Sequence, residues 1–236
     1  METRPLVSVI IPVYNRAHYL AASLNSVFAQ TYRPIEVIVI DDGSTDSSAK
    51  VAKSYPEIQY FYQSNQGVSL ARNAGISIAS GDLIAFLDAD DMWKSNKLDI
   101  QIPYMINHPM VGVTTTHVLN FLEPGTQIPS WFEADRHLGE KQVAIPSTWV
   151  VRISVFHQVG TFSPNLPASE DVEWLCRAKD GNVLVAAIPE VLTLRRFHGA
   201  NLSWEMASSC STRRLQILHA SIARKKIKKL IYIDSV

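Results

Sequence analysis

Hydrophobic residues in this chain gather into two kinds of pattern. Short, mostly apolar blocks at residues 7–12, 35–40, 58–62 and 83–87 are too short for ordinary helices and read as strands buried on both faces. Between the blocks, apolar positions return at helical spacing, as with Leu20, Leu24, Val27 and Phe28. Ser44 or Thr45 is placed to cap a short helix, with Asp46 in its positive first turn. Gly67 opens another helix through Ala79, for which Gly81 is the expected C-terminal stop. Strand and helix alternating at this spacing predict a parallel sheet with right-handed crossovers.

After residue 92 the pattern changes. A helix is predicted over 98–106, a strand over 111–118, a helix over 169–179 and strands over 182–187 and 191–196. Residues 206–230 read as mostly helical. From 120 to 147 the chain is rich in turn residues and carries Trp131 and Phe132, with Trp149 just beyond. Such a loop either walls a binding site or packs itself down with its own rings. No repeat, low-complexity tract or linker interrupts the chain, which predicts one domain over 1–236 in two halves.

Composition narrows the function classes. The chain is 47% hydrophobic, and its 22 basic and 22 acidic residues cancel. No global field therefore favours nucleic acid. Two cysteines, Cys176 and Cys210, give no disulfide framework, and a reducing compartment is the simpler expectation. The N-terminus enters a strand without signal-peptide character, and no apolar run approaches the ~18–20 residues of a membrane span. A cytoplasmic protein, or the soluble face of something larger, is expected. In the tail, Arg224, Lys225, Lys226, Lys228 and Lys229 surround Ile227, Leu230 and Ile231. As a helix this segment could rest on anionic lipid at the inner face of the membrane. It could equally solubilise the C-terminus or pack on a partner subunit.

Candidate chemistry sits at the ends of the predicted strands. Residues 83–87 run into Asp88, Asp90 and Asp91, and ligands of open α/β sheets bind beyond the carboxyl ends of strands. Carboxylates at i and i+2 can both offer oxygen to one hard cation, and Mg²⁺ takes only one or two of them beside water and phosphate. Asp88 and Asp90 therefore read as a metal–diphosphate seat with Asp91 a nearby spare, although a charged surface loop would show the same pattern. Tyr14 and Asn15 follow the first strand, and Asp41 and Asp42 end the second. An acid at the latter place commonly bonds a ribose or base. Arg72 is the candidate diphosphate cation. Gly75 suggests a close approach by another backbone or a ligand.

Four segments in order, 7–15, 41–46, 71–75 and 87–91, resemble the family 2 glycosyltransferases of GT-A fold, densely over the first 100 residues and more thinly to about 205. The resemblance implies a three-layer α/β/α sandwich whose central sheet is mostly parallel, with a Rossmann-like nucleotide-binding half. Residues 1–118 become the nucleotide-sugar half, 119–205 the acceptor and catalytic half, and 206–236 a basic C-terminal helix. It implies a nucleotide-sugar donor, most often a UDP-sugar, and Mn²⁺ or Mg²⁺ held through the Asp-x-Asp. By the same analogy Pro12, Tyr14 and Asn15 lie by the nucleotide and Asp42 bonds the base with Asp41 in support. Arg72 and Asp88 lie by the diphosphate, and Asp90 is the surest metal ligand.

The second half must then supply the base. Ser169, Glu170 and Asp171 open a helix whose Val172, Leu175 and Cys176 are expected to form the buried stripe. That leaves both acids pointing elsewhere, stabilised by the helix dipole. The resemblance carries the general base onto Asp171, with Glu170 as neighbour or acceptor contact. Residues 195–203 resemble the family's Tyr-Arg-x-His-x-x-Asn-x-Ser segment, with Arg195 in place of the tyrosine, and this makes His198 a candidate metal or diphosphate ligand. The implied activity is metal-dependent, inverting transfer of a hexose-type sugar to a hydroxyl on a glycan, lipid-linked or protein acceptor, in glycan or polysaccharide synthesis. A sugar nucleotidyltransferase and a non-catalytic nucleotide-sugar binder are the alternatives. Absence of Gly-x-Gly-x-x-Gly after the first strand and of a Walker A sequence argues against a dinucleotide dehydrogenase and a P-loop NTPase.

Overall fold

The computed structural model describes residues 4–166, 169–201, 204, 213 and 215–225. In chain order the first half contains β1 (Val7–Val13), α1 (Ala17–Phe28), β2 (Ile35–Asp42), α2 (Ser48–Lys53), β3 (Ile58–Gln63), α3 (Val68–Ile78) and β4 (Leu83–Phe86). The second contains β5 (Met92–Trp93), α4 (Lys97–Asn107), β6 (Val111–Leu122), α5 (Ala134–His137), β7 (Gly139–Lys141), β8 (Val150–Arg152), α6 (Ile153–Val159), α7 (Glu170–Asp180) and β9 (Leu184–Phe197). Strand order across the sheet is β3-β2-β1-β4-β8-β6-β9-β5, with β7 beside β6. Helices pack on it in the manner expected of a GT-A-like α/β fold.

β1 is buried along its whole length because both of its faces are covered. Val7, Val9, Ile11 and Val13 join Leu20, Leu24 and Val27 of α1 in one core. Ile10 points the other way, into a second core with Phe86, Trp149, Phe162 and Trp174. Each fully buried Leu, Ile, Val or Phe contributes about 1.5–3 kcal/mol, so two cores on one sheet account for the mostly apolar runs. Gly75 fulfils its expectation: a Cβ there would overlap the Ile10 side chain, and its absence lets α3 lie close on β1.

Parallel pairing brings three strand ends to one edge. Val13 pairs with Asp41, and Ile10 with Phe86, so the residues after β1, β2 and β4 emerge together. Beyond β4 the sheet is mixed: β8 is antiparallel to β4 and β6, while β9 runs parallel to β6 and antiparallel to β5.

Several local expectations are corrected. The two strands predicted over 182–196 are one, β9, which follows β6 through register irregularities at Thr116, His117 and Val118. Residue 81 is not a helix stop of the left-handed kind: α3 ends at extended Ala79, and Gly81 is glycine because a Cβ would sit 2.8 Å from Leu6 O. Neither Ser44 nor Thr45 caps α2, whose N-cap is Ser47. The segment 120–147 holds the end of β6, then α5 and β7, and Phe132 packs with Phe197 and Trp204. Trp149 is fully buried, and of the loop's rings Trp131 stays substantially exposed, at 43%. No helix among the described residues is long and apolar enough to cross a membrane. The basic tail beyond residue 225 lies outside the described residues, as does most of the predicted helix 206–230.

Candidate active site

The loops after β1 and β2 are tied to each other. Asn15 adopts φ 51°, and its Oδ1 accepts the backbone N–H groups of Thr45 at 2.8 Å and Asp46 at 3.3 Å. Its own N–H donates to Ser44 Oγ at 3.0 Å. Asp41 is buried, with Oδ1 accepting the Ser44 N–H at 2.8 Å and Oδ2 the Tyr60 hydroxyl at 2.7 Å. Burial and the Asp41 carboxylate together push the Tyr60 phenol well up. Asp42 accepts from the Gln63 amide at 2.7 Å and from the Gln66 and Gly67 backbone N–H groups at 2.9 and 2.8 Å. It thereby ties the start of α3 to the end of β2. Pro12 is enclosed within β1, while Tyr14 stands half exposed over this edge.

The acidic turn after β4 is held from below and from the side. Asp88 donates its backbone N–H to Ser147 Oγ at 3.1 Å, and Ser147 in turn donates to Asp91 Oδ2 at 2.8 Å. The other Asp91 oxygen accepts the Arg196 N–H at 3.1 Å. Burial, then the neighbouring Asp90 and Asp88 charges, raise the Asp91 carboxyl well above its usual range. Asp91 is thus a buried pin for the turn and not the spare ligand expected. Asp90 Oδ2 accepts from Arg16 Nε at 3.2 Å and His198 Nε2 at 3.0 Å. Burial works to raise its pKa, but the His198 hydrogen bond and the Arg16 charge overcome that and hold the carboxyl low.

His198 is buried and stacked on Tyr19 at 4.5 Å between ring centroids. Its Nδ1 accepts the Ala200 N–H at 3.2 Å. Its Nε2 therefore donates to the Asp90 carboxylate. In this arrangement His198 orients the Asp90 carboxylate.

The link to the second half runs through Arg72. Its Nη2 donates to Asp88 Oδ1 at 2.7 Å and its Nη1 to Glu170 Oε1 at 2.6 Å. The guanidinium is buried against Phe162, and both carboxylates raise its pKa against the opposing effect of burial. Nε has no protein partner. Glu170 is buried because the inner stripe of α7 consists of Glu170, Trp174, Leu175 and Ala178. The stripe predicted from Val172, Leu175 and Cys176 was rotated, and Glu170 points inward where it was expected to point away. Asp171 remains on the accessible side, half-buried, and its Oδ1 accepts the adjacent Val172 N–H at 2.7 Å. Burial first, then the Glu170 charge, push its carboxyl up to about 6 despite Arg72.

The structure thus gathers Asp88, Asp90, Arg72, Glu170, Asp171 and His198 at one edge, with Asn15, Asp41 and Asp42 bracing the adjacent loops. Of three further contributors, Ser147 and Arg16 carried no recognisable pattern in sequence, whereas Arg196 is the arginine of the segment 195–203. Ser147 is completely buried, and besides its hydroxyl bonds its carbonyl accepts from Trp93 Nε1 at 2.7 Å and Thr193 Oγ1 at 3.1 Å. Arg16 joins Asp90 to the Ala200 carbonyl, at 2.7 Å from Nη2. Arg196 closes the far side of the turn through Asp91, the Asp90 carbonyl and an ion pair to Glu123.

The donor set suits a divalent cation of the hard kind. Among the described residues, the hydrogen bonds of Asp88 fall on Oδ1 and those of Asp90 on Oδ2, which leaves a second oxygen on each. No group of three or more ligating side chains is present among the described residues. Mg²⁺-type sites need no all-protein cage, since one or two carboxylates suffice beside water and phosphate.

Comparison with known proteins gives a consistent picture. The family model described as Glycosyl transferase family 2 matches residues 8–160. An uncharacterized glycosyltransferase of Nostoc sp. is 33% identical over 233 residues, covering 87% of this chain and 69% of that protein. TuaG of Bacillus subtilis, named for teichuronic acid biosynthesis, is 31% identical over 188 residues, with 75% and 74% covered. Other relatives are much longer, and the match covers 21% of a Rickettsia conorii glycosyltransferase. Among solved structures, S. aureus TarS in complex with UDP-GlcNAc superposes with TM-score 0.68 at 20% identity, over 84% of this chain and 60% of that one. A Pyrobaculum calidifontis mannosyltransferase in complex with GDP-Man and Mn²⁺ gives 0.69 at 19% identity, over 96% and 65%.

Proposed function

The chain belongs to glycosyltransferase family 2, and from that premise we propose that it transfers a sugar, with inversion, from a nucleotide-sugar to a hydroxyl acceptor in glycan or polysaccharide synthesis. The observation that carries this reading is the Arg72 bridge, which joins Asp88 on the acidic turn to Glu170 beside Asp171. In this reading the bridge ties the donor seat to the turn that carries the base, from opposite halves of the chain. A mere binder would need no such bridge to the turn that carries a half-buried acid.

In the proposed reaction the acceptor oxygen forms a bond to the anomeric carbon as the bond from that carbon to the diphosphate breaks on the opposite face. The acceptor proton goes to Asp171, and the nucleoside diphosphate departs. A carboxyl with a pKa of about 6 is ionised at neutral pH yet basic enough to accept that proton. Glu170 and Arg72 act as positioning residues that fix the first turn of α7 against the acidic turn. Asp88 and Asp90 would hold Mn²⁺ or Mg²⁺, with Arg16 and His198 fixing the Asp90 carboxylate. Such an ion, when bound, neutralises charge on the departing diphosphate. The loops braced by Asn15, Asp41 and Asp42 would frame the base and ribose. Fold likeness to TarS with UDP-GlcNAc supports a UDP-sugar as first candidate, and likeness to the mannosyltransferase supports GDP-Man as second. The acceptor class, glycan, lipid-linked or protein, and any lipid contact of the basic tail belong to the same proposal.

A screen of nucleotide-sugars with Mn²⁺ or Mg²⁺, following release of nucleoside diphosphate, tests the reading. Release from one donor, lost in Asp90→Ala, is expected. Release of pyrophosphate from a nucleoside triphosphate and sugar phosphate would instead make the protein a nucleotidyltransferase.

A further inference from the structure

A cavity of about 240 Å³ lies between α7 and the sheet, lined by Leu175 and Lys179 of α7, Thr115 and Thr116 of β6, Ala187 of β9 and Gln142 beyond β7, among others. None of the residues placed at the donor seat lines it. Asp171, Leu175 and Lys179 recur at four-residue spacing, so the α7 face that carries Asp171 continues as a wall of the cavity. Leu175 lies about 6 Å along the helix axis from Asp171 and Lys179 about 12 Å.

The lining restricts what could fill this space. Its volume is below the ~300–1,000 Å³ of sites for drug-sized ligands, and suits one sugar ring better than a nucleotide. Leu175 and Ala187 offer apolar surface to the C–H face of a ring, while Thr115 and Gln142 offer a hydroxyl and an amide group. Lys179 is the one charged residue of the lining, and no carboxylate accompanies it there. A lysine in an otherwise uncharged lining favours an anion.

We infer that this cavity is an acceptor subsite for a sugar unit bearing an anionic group, carboxylate or phosphate, one unit away from the hydroxyl that meets Asp171. The inference rests on the proposed role of Asp171 as base. It makes Lys179 a specificity residue, outside the reacting atoms.

Binding of methyl β-D-glucuronide, glucose 6-phosphate and methyl β-D-glucoside can be measured by saturation-transfer NMR on the full chain, beside background hydrolysis of the nucleotide-sugar. Lys179 and Ala187 are both exposed, so Lys179→Gln and Ala187→Phe are expected to leave the fold intact, which a thermal melt checks. At least one anionic probe is expected to bind about 10-fold or more tighter than the neutral glucoside, and which one distinguishes carboxylate from phosphate. Lys179→Gln should remove that preference, and Ala187→Phe should abolish binding of every probe. Equal affinity for charged and neutral probes, anion binding unaffected by Ala187→Phe, or no binding of any probe would each overturn the subsite. Loss of donor hydrolysis in the wild-type protein with cavity binding intact would overturn the proposed function alone.

Discussion

Asp41 and Asp171 are both carboxylates at the edge of the same site, yet their surroundings differ in kind. Each Asp41 oxygen accepts a hydrogen bond, from Ser44 N–H and from Tyr60 O–H, and the residue is wholly buried. Asp171 is held by the N–H of its own neighbour, lies beside the Glu170 charge, and is raised to about 6. A carboxylate whose oxygens are both used by protein donors is a brace. One that is raised and left reachable is a group prepared to take a proton. The first half of the molecule mostly contains acids of the former kind, and the first turn of α7 contributes the latter.

The comparison is broken most directly by removing each carboxylate in turn. Asp171→Asn should lower kcat about 10²–10⁴-fold with donor affinity unchanged, as read by turnover and by calorimetric titration of the donor. Asp41→Asn should do the reverse, leaving Tyr60 or Ser44 poorly partnered and lowering unfolding stability by about 1–3 kcal/mol in denaturant melts. Equal effects of the two substitutions on kcat would erase the distinction.

Next in size is the bridge between the halves. Arg72→Met leaves Asp88 and Glu170 without their shared cation, and breaking a buried pair in this way costs about 3–5 kcal/mol. A melt should show the loss, and turnover of the surviving folded protein should fall because α7 no longer registers with the acidic turn. Ser147→Ala is gentler. It removes the hydroxyl shared by Asp88 N–H and Asp91, so the affinity for Mn²⁺ should weaken about 10–100-fold in a metal titration of turnover, with a modest change in stability.

The smallest effect is a pH dependence with a definite sign. The folded-state carboxyl of Asp171 is raised, so the fold favours its protonated form. Its ionisation therefore costs stability, a cost absent below about pH 4 and complete above about pH 6. Asp171→Asn should match wild type in Tm at the acidic end and exceed it slightly at neutral pH. Wild-type kcat should fall as pH drops through about 6, since the ionised base is the active form.

Much of the first half was legible in sequence because its signals are local. Four apolar blocks became β1 to β4, and the acids that terminate β2 and β4 meet at one edge as parallel strands require. Arg72 and Gly75 were legible as a pair on α3, one needed for charge and one for closeness. The second half hid more. The stripe of α7 was assigned to Val172 and Cys176 when Trp174 and Ala178 occupy it, because periodicity fixes spacing and leaves the phase open when apolar residues stand on neighbouring faces. Glu170 was therefore misoriented. Ser147, Arg16 and Arg196 reach the acidic turn across long stretches of chain, and no local pattern records such contacts. β8, three residues long, is too short to generate a periodicity.

The central claim is that the acidic turn and the first turn of α7 form one active site with Asp171 as its base. It is tested most directly by measuring, with one responsive nucleotide-sugar and metal, both donor binding and nucleoside diphosphate release in wild type, Asp90→Ala and Asp171→Asn. The account predicts that Asp90→Ala loses metal-dependent binding and release together, whereas Asp171→Asn binds donor normally and transfers at least 10²-fold more slowly. Wild-type rates of transfer in Asp171→Asn would contradict it.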